Sequence, residues 1–166
     1  YVIMVSLTTQ TRVESADFRK KYKDYDRRSE RLLNNLYETF TELFGVAIFG
    51  SARFDSNDPS YLDAKRLAQM ISEAGGVVLT GGGPGIMRAG NEGARIAERI
   101  QFEKDPNSTF SPLLSMGFNL PFQREQPNDQ LTLQRFVPDF HYRIAKFLRV
   151  TRGTICADGG MGTVLE

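Results

Sequence analysis

The sequence predicts an α/β domain: a Rossmann-like, three-layer fold with a parallel sheet, helices on both faces and a helical arm in front. Three observations carry that reading. Short continuous apolar runs recur along the chain, as strands buried on both faces of a parallel sheet require. Segments of helical period separate them, and strands alternating with helices mark a parallel sheet. Two of the runs also end in glycine-rich turns that open a helix, GGGPGIM at 81–87 and GGMGT at 159–163.

Residues 1–44 read as an N-terminal extension and 45–166 as the Rossmann-like domain. Within the extension, 16–44 is charged and then amphipathic. Leu32, Leu36, Phe40 and Leu43 recur at spacings of three and four, and Gly45 ends the pattern. VAIFG (46–50) is the first strand of the domain and SARFDSNDPSY a loop, with Ser60 the expected N-cap. Leu62, Leu67, Met70 and Ile71 mark a helix that stops at Gly75-Gly76. VVLT (77–80) is the next strand, IMRAGNEGARIAERI a helix, and QFEKDPNSTFSP a polar connection. LLSMGFN (113–119) is a third strand, followed by the irregular LPFQREQPND. A helix is expected over 138–150 and a strand over TICA (154–157), before GGMGT turns into a last helix. The C-terminal part of the domain is expected to be missing after Glu166.

Composition narrows the function. The chain has 21 basic and 20 acidic side chains, a net charge of +1, so nucleic acid is not an expected partner. The basic run from Arg19 to Lys23 is interleaved with acids and reads as a solvated helix face. One cysteine and one histidine leave little for a metal site, so no metal and no cofactor are expected. YVIMVSL is too short for a secretory h-region, and no apolar run approaches a membrane span. The expected location is cytoplasmic.

The glycine turns point to an anion. A helix amino end presents unpaired N–H groups and partial positive charge, and glycine lets backbone approach a phosphate. Gly81, Gly82, Gly83 and Gly85 therefore form one expected wall, and Gly159, Gly160, Met161, Gly162 and Thr163 a second. Neither matches G-x-G-x-x-G, because Ile86 stands where the last spacing needs glycine, and no G-K-[ST] exists. A mononucleotide or sugar phosphate remains. Arg143 is an independent signal: at helical spacing it lies at the edge of the apolar face formed by Phe136, Phe140, Phe147 and Val150, where a cation needs an anionic partner. Lys146 and Arg149 are expected to point away, and His141 to lie on the surface.

GSAR (50–53), TGGGPGIM (80–87), NEGA (91–94), LPFQREQPN (120–128), FHYR (140–143) and GGMGTVLE (159–166) occur in the order that the LOG (LONELY GUY) family shows them. Residues 45–166 resemble these cytokinin riboside 5′-monophosphate phosphoribohydrolases, long described as lysine decarboxylases. The resemblance implies hydrolysis of the N-glycosidic bond of a nucleoside 5′-monophosphate, of AMP or cytokinin riboside type, releasing base and ribose 5-phosphate. It implies phosphate held by the 159–163 turn, catalysis by Arg143 and Glu166, and a substrate contact from Glu125. Ser51 and Asn91 follow glycine turns in matching segments and are expected to touch substrate. Homodimers or larger homo-oligomers are implied as well.

Two departures stand out: Asp158 replaces the proline of the closing motif, and Ile144 replaces the lysine after Arg143. They favour the alternative reading, a non-catalytic nucleotide- or cofactor-binding carrier on the same fold. For hydrolysis, a carboxylate near the anomeric carbon stabilises the positive charge that builds on the sugar. Glu166, one turn into a helix, is held ionised by the helix dipole.

Overall fold

The computed structural model describes residues 3–6, 44–106, 115–120, 126–137, 139–160 and 163. The amphipathic arm of 16–43, Glu125, Met161, Gly162 and Glu166 lie outside these residues. Six strands are described: β1 (Ile3–Ser6), β2 (Gly45–Phe49), β3 (Val77–Thr80), β4 (Ser115–Asn119), β5 (Leu133–Phe136) and β6 (Gly153–Cys156). Three helices join them: α1 (Pro59–Glu73), α2 (Ile86–Lys104) and α3 (Phe140–Val150). The strands lie in the order β1-β6-β2-β3-β4-β5. Five are parallel, and β1 closes the β6 edge antiparallel, with Ile3 opposite Cys156 and Ser6 opposite Gly153.

The sequence reading omitted β1 and β5. Leu133–Phe136, with sequence LQRF, has no continuous apolar run because an edge strand is covered less completely than a central one. β1 also brings the first residues of the extension into the sheet of the domain.

Two apolar layers flank the sheet. On one face Phe147 and Val150 of α3 cover Ala47, Phe49, Val77, Leu79, Met116 and Phe118. The Phe147 ring stands edge-on to Phe49 at 4.8 Å and to Phe118 at 5.2 Å, the arrangement that aromatic quadrupoles favour. On the other face Tyr61, Ala64 and Ala68 of α1 and Ile86, Ala89 and Ala94 of α2 cover Ile48, Val78 and Ile155. Strand alternation explains the sorting, since neighbours in a strand point to opposite faces.

α1 departs from its predicted pattern. Its buried face is Tyr61, Ala64, Ala68 and Ser72, whereas Leu62 and Met70 are exposed. Small residues are buried because α2 packs close: a side chain at Gly93 would run into the Lys65 carbonyl and the Ala68 methyl. Asp58, not Ser60, is the N-cap, and Pro59 fills the first turn, where its missing N–H costs nothing. The helix ends as expected at Gly75-Gly76. Gly75 N–H donates to the Ser72 carbonyl and Gly76 N–H to that of Ile71, the paired bonds of a Schellman stop, with Gly75 at φ 85°. α2 runs one turn further than predicted, through Lys104. Lys146 was expected to face solvent but is buried, its ammonium 4.9 Å from the centre of the Tyr142 ring. No described helix is long and apolar enough to cross a membrane.

Candidate functional site

The chain progresses from β2 outward through β3, β4 and β5, then returns to place β6 on the other side of β2. The strand order reverses between β2 and β6, and in open α/β sheets ligands bind beside the carboxyl ends at such a reversal. The loop after β2 begins at Ser51, the second glycine turn follows β6, and the first follows β3. The two turns thus flank one strand.

Ser51 ties them together. Its N–H donates to the Asp158 carbonyl at 3.0 Å, and its own carbonyl accepts from Ile86 N–H at 3.0 Å. Gly85, the N-cap of α2, has φ 66°, and a side chain there would collide with the Ser51 carbonyl and the Ala52 backbone. Glycine is required at 85 on both counts. The second turn is more open: Gly159 and Asp158 are exposed, and the Thr163 hydroxyl packs against Gly159. The Arg53 guanidinium comes within 3.5 Å of where a side chain on Gly160 would begin. The Asp158 carboxylate, which replaces the family's proline, accepts from the Ser60 hydroxyl at 2.8 Å, which draws it toward α1. A hollow of about 70 Å³ lies there, lined by Ser60, Asp63, Leu67 and Asp158. Its carboxylates make it a poor place for phosphate.

The first turn is buried at Gly81, Gly82, Gly83 and Gly85. Three side chains cover it. The Arg143 guanidinium lies directly against Gly81, beside the Met87 sulfur, and 5.9 Å from the centre of the Phe147 ring. Arg143 is only 2% exposed, deeper than its edge position on the helical wheel implies. Its helix begins one residue after Asp139, whose carboxylate caps the Tyr142 N–H at 2.8 Å.

The second cover is Asn128. Its backbone N–H donates to the Gly82 carbonyl at 2.8 Å and its Nδ2 to the Gly83 carbonyl at 2.9 Å and to Asn91 Oδ1 at 3.0 Å. Asn91 Oδ1 also accepts from the Thr80 hydroxyl at 2.7 Å, and that hydroxyl accepts from Gly82 N–H. Asn91 Nδ2 donates to Ser115 Oγ at 3.0 Å. Asn91 is fully buried with its amide committed inside the fold. From there it shapes the turn. Because the peptide is planar and trans, a Gly82 carbonyl aimed at Asn128 sends the Gly83 N–H the opposite way.

The third cover is Asn119, at the carboxyl end of β4. Its carboxamide lies against Gly82, whose φ of 76° already requires glycine. Asn119 is 5% exposed, and its Oδ1 is buried without a hydrogen-bond partner.

A charged network braces the amino end of α2. Tyr61 Oη donates to Glu92 at 2.6 Å, Lys65 to Glu92 at 2.8 Å, and Arg88 to Tyr61 Oη at 3.2 Å and to Asp129 at 3.1 Å. Burial, followed by the bond to Glu92, pushes the Tyr61 phenol up to about 12. Burial pushes the Glu92 carboxyl up, but the Lys65 and Tyr61 bonds outweigh it and hold the group below its usual range. Asp129 is lowered by its bond from Arg88. The 126–131 loop is thereby pinned twice, through Asn128 to the glycine turn and through Asp129 to α2.

Among the described residues the structure therefore brings Arg143 against the first glycine turn and ties that turn, through Ser51, to the start of the second. His141 is exposed, as expected. Sequence reasoning assigned no role to Asn119 and Asn128. The available signals were a polar residue closing a buried strand and the last residue of the quoted LPFQREQPN segment. No group of three or more metal-binding side chains occurs among the described residues.

Comparison with known proteins agrees with this layout. Residues 43–101 match the family model of the SLOG cluster4 family. Over 110 residues the chain is 31% identical to the pyrimidine/purine nucleotide 5′-monophosphate nucleosidase of Escherichia coli K12. The proteins of that name from E. coli O6:H1 and O157:H7 match equally. The alignment takes in 66% of this chain, which spans only 23% of the length of those relatives. The X-ray structure of TM1055, a structural genomics target, shares the fold with a TM-score of 0.56 at 22% identity, over 75% of this chain and 66% of that one. These matches support the LOG-like resemblance carried by the order of the motifs: residues 43–101 match the SLOG cluster4 model, and the fold is that of TM1055.

Proposed function

We propose that this chain binds a nucleoside 5′-monophosphate and hydrolyses its N-glycosidic bond. The observation that supports this best is the pair of glycine turns on either side of β2, joined through Ser51, with a buried guanidinium at the inner one. In this reading the phosphate sits on the turn of Gly159, Gly160, Met161, Gly162 and Thr163, where the N–H groups of the helix expected from the sequence and the nearby Arg53 favour an anion. The inner turn of Gly81, Gly82, Gly83 and Gly85 serves as the wall that holds Arg143 toward the sugar. Arg143 is pre-ordered by Phe147 and Gly81, so little side-chain entropy is lost when substrate arrives. Glu166 stabilises the oxocarbenium-like sugar and orients the attacking water. Glu125 and Ser51 contact the nucleoside. Proteins similar to this chain are named as nucleosidases of pyrimidine and purine nucleotide 5′-monophosphates, and that supports the substrate class.

Incubation with AMP, GMP, CMP and UMP, followed by chromatography of free base, tests the reading. Base is released by the wild-type chain, and Glu166→Gln lowers the rate by at least about 100-fold. Saturable binding without release favours the carrier reading, which Ile144 and Asp158 supported in the sequence. A homo-oligomeric assembly, cytoplasmic residence and a preference for adenine-type bases form part of the proposal.

A further inference from the structure

Asn119 has a carboxamide oxygen that the protein itself does not satisfy. The residue is 5% exposed, its Oδ1 is buried without a hydrogen-bond partner, and it lies against Gly82 of the inner turn. A buried acceptor left unpaired is costly and is uncommon in folded proteins. The carboxamides and hydroxyls around the inner turn are matched: Asn91, Asn128, Thr80 and Ser115 all engage one another or the backbone. As an acceptor at the end of a strand that leads into the crevice, Asn119 Oδ1 calls for a donor from elsewhere.

We infer that Asn119 is a substrate-recognition residue whose Oδ1 accepts a hydrogen bond from a ribose hydroxyl of the bound nucleotide. This inference rests on the nucleotide-binding reading above. An amide oxygen repels the phosphate, which presents only acceptors at neutral pH, so the donor comes from the nucleoside part. Position selects the sugar within that part. Arg143 lies against Gly81 and Asn119 against Gly82, consecutive residues whose Cα atoms are about 3.8 Å apart. The guanidinium, which acts at the sugar in that reading, and this carboxamide thus contact adjoining residues of one turn. The geometry also accounts for Gly82: any side chain there would occupy the space of the amide, in addition to suffering the positive φ.

A site that holds a substrate hydroxyl rejects analogues lacking it more strongly than an apolar pocket rejects a lost methylene. The test compares AMP with 2′-deoxy-AMP, 3′-deoxy-AMP and IMP, in base release and in binding by calorimetry. Wild-type protein prefers AMP over one of the deoxy analogues by roughly 10- to 100-fold, the size expected for one buried hydrogen bond. Asn119→Leu, which keeps the volume and removes the acceptor, reduces that ratio by about tenfold or more, whichever way the absolute rate moves. Asn119→Asp keeps an acceptor and retains the preference. The wild-type arm needs no variant, so a poorly folding Asn119→Leu does not rescue the idea. Equal handling of AMP and both deoxy analogues by wild type overturns it, as does a ratio unchanged in Asn119→Leu. Discrimination that follows the 6-amino group, AMP against IMP, and not the sugar also overturns it. In each of those cases nucleotide turnover survives, whereas absence of binding and turnover for every nucleotide removes the underlying reading as well.

Discussion

Gly85 shows how much a single position can decide. At φ 66° an L-residue loses roughly 1 kcal/mol or more, and its Cβ would also strike the Ser51 carbonyl that accepts from Ile86. Gly85→Ala is therefore expected to lower stability by at least about 2 kcal/mol in urea unfolding and to part the two glycine turns. Asn128 acts through its neighbours. Asn128→Ala frees the Gly83 carbonyl, and KM for the nucleotide should rise about tenfold with a smaller change in kcat, while Asn128→Asp restores little because it cannot donate. Tyr61 gives a pH test. Its pKa in the fold, about 12, lies above the ordinary value of 10.0, so its contribution is complete below pH 10 and fades as pH rises from 10 toward 12. In denaturation from pH 8 to 11, Tyr61→Phe should lessen the alkaline loss of stability; an unaltered slope would show that another group dominates. At this scale the glycines and Arg143 were legible, because backbone freedom and a cation at the edge of an apolar face are local signals. Asn119 and Asn128 were not, since their roles depend on partners far away in the chain.

The helices repeat this lesson through packing. Gly90 and Gly93 both lie inside α2, where alanine normally stabilises by roughly 1 kcal/mol. At Gly90 the new methyl would meet Thr80 at 3.2 Å and Ile48 at 3.4 Å, so Gly90→Ala should stay within about 1 kcal/mol of neutral. At Gly93 it would meet the Lys65 carbonyl, rigid backbone of α1, and the sign reverses. Gly93→Ala should destabilise by about 1–3 kcal/mol in thermal or urea unfolding. Helix pattern located α1 and α2 but misjudged which residues α1 buries. Leu67 and Ile71 do pack, partly buried, against the core, but Leu62 and Met70 do not, and the buried positions are Tyr61, Ala64, Ala68 and Ser72. Periodicity registers hydrophobicity, whereas a tight helix pair selects for size. Lys146 misled for a related reason: its amphipathic stem can be buried while the ammonium finds the Tyr142 ring.

Across the whole molecule, the central strands were readable because burial on both faces leaves an uninterrupted apolar run. Edge strand β5 carries no such mark; β1 does, within the apolar YVIMVSL, but its antiparallel direction could not be read from pattern. The α3 layer depends on one ring more than on any other side chain: Phe147 joins Phe49, Phe118 and the Arg143 guanidinium. Phe147→Leu should cost less stability than Phe147→Ala, for which about 3–5 kcal/mol is expected, and both should weaken nucleotide binding by loosening Arg143. β1 has a practical consequence. Trimming the chain ahead of Gly45, a natural choice for anyone isolating the compact half, would leave the outer rim of β6 with bare amide and carbonyl groups. Such a fragment would tend to self-associate through that rim, and the strand leading into Gly159 would lose its lateral support. Residues that look dispensable in the primary structure thus cover an edge of the sheet and brace the strand that leads into the second glycine turn.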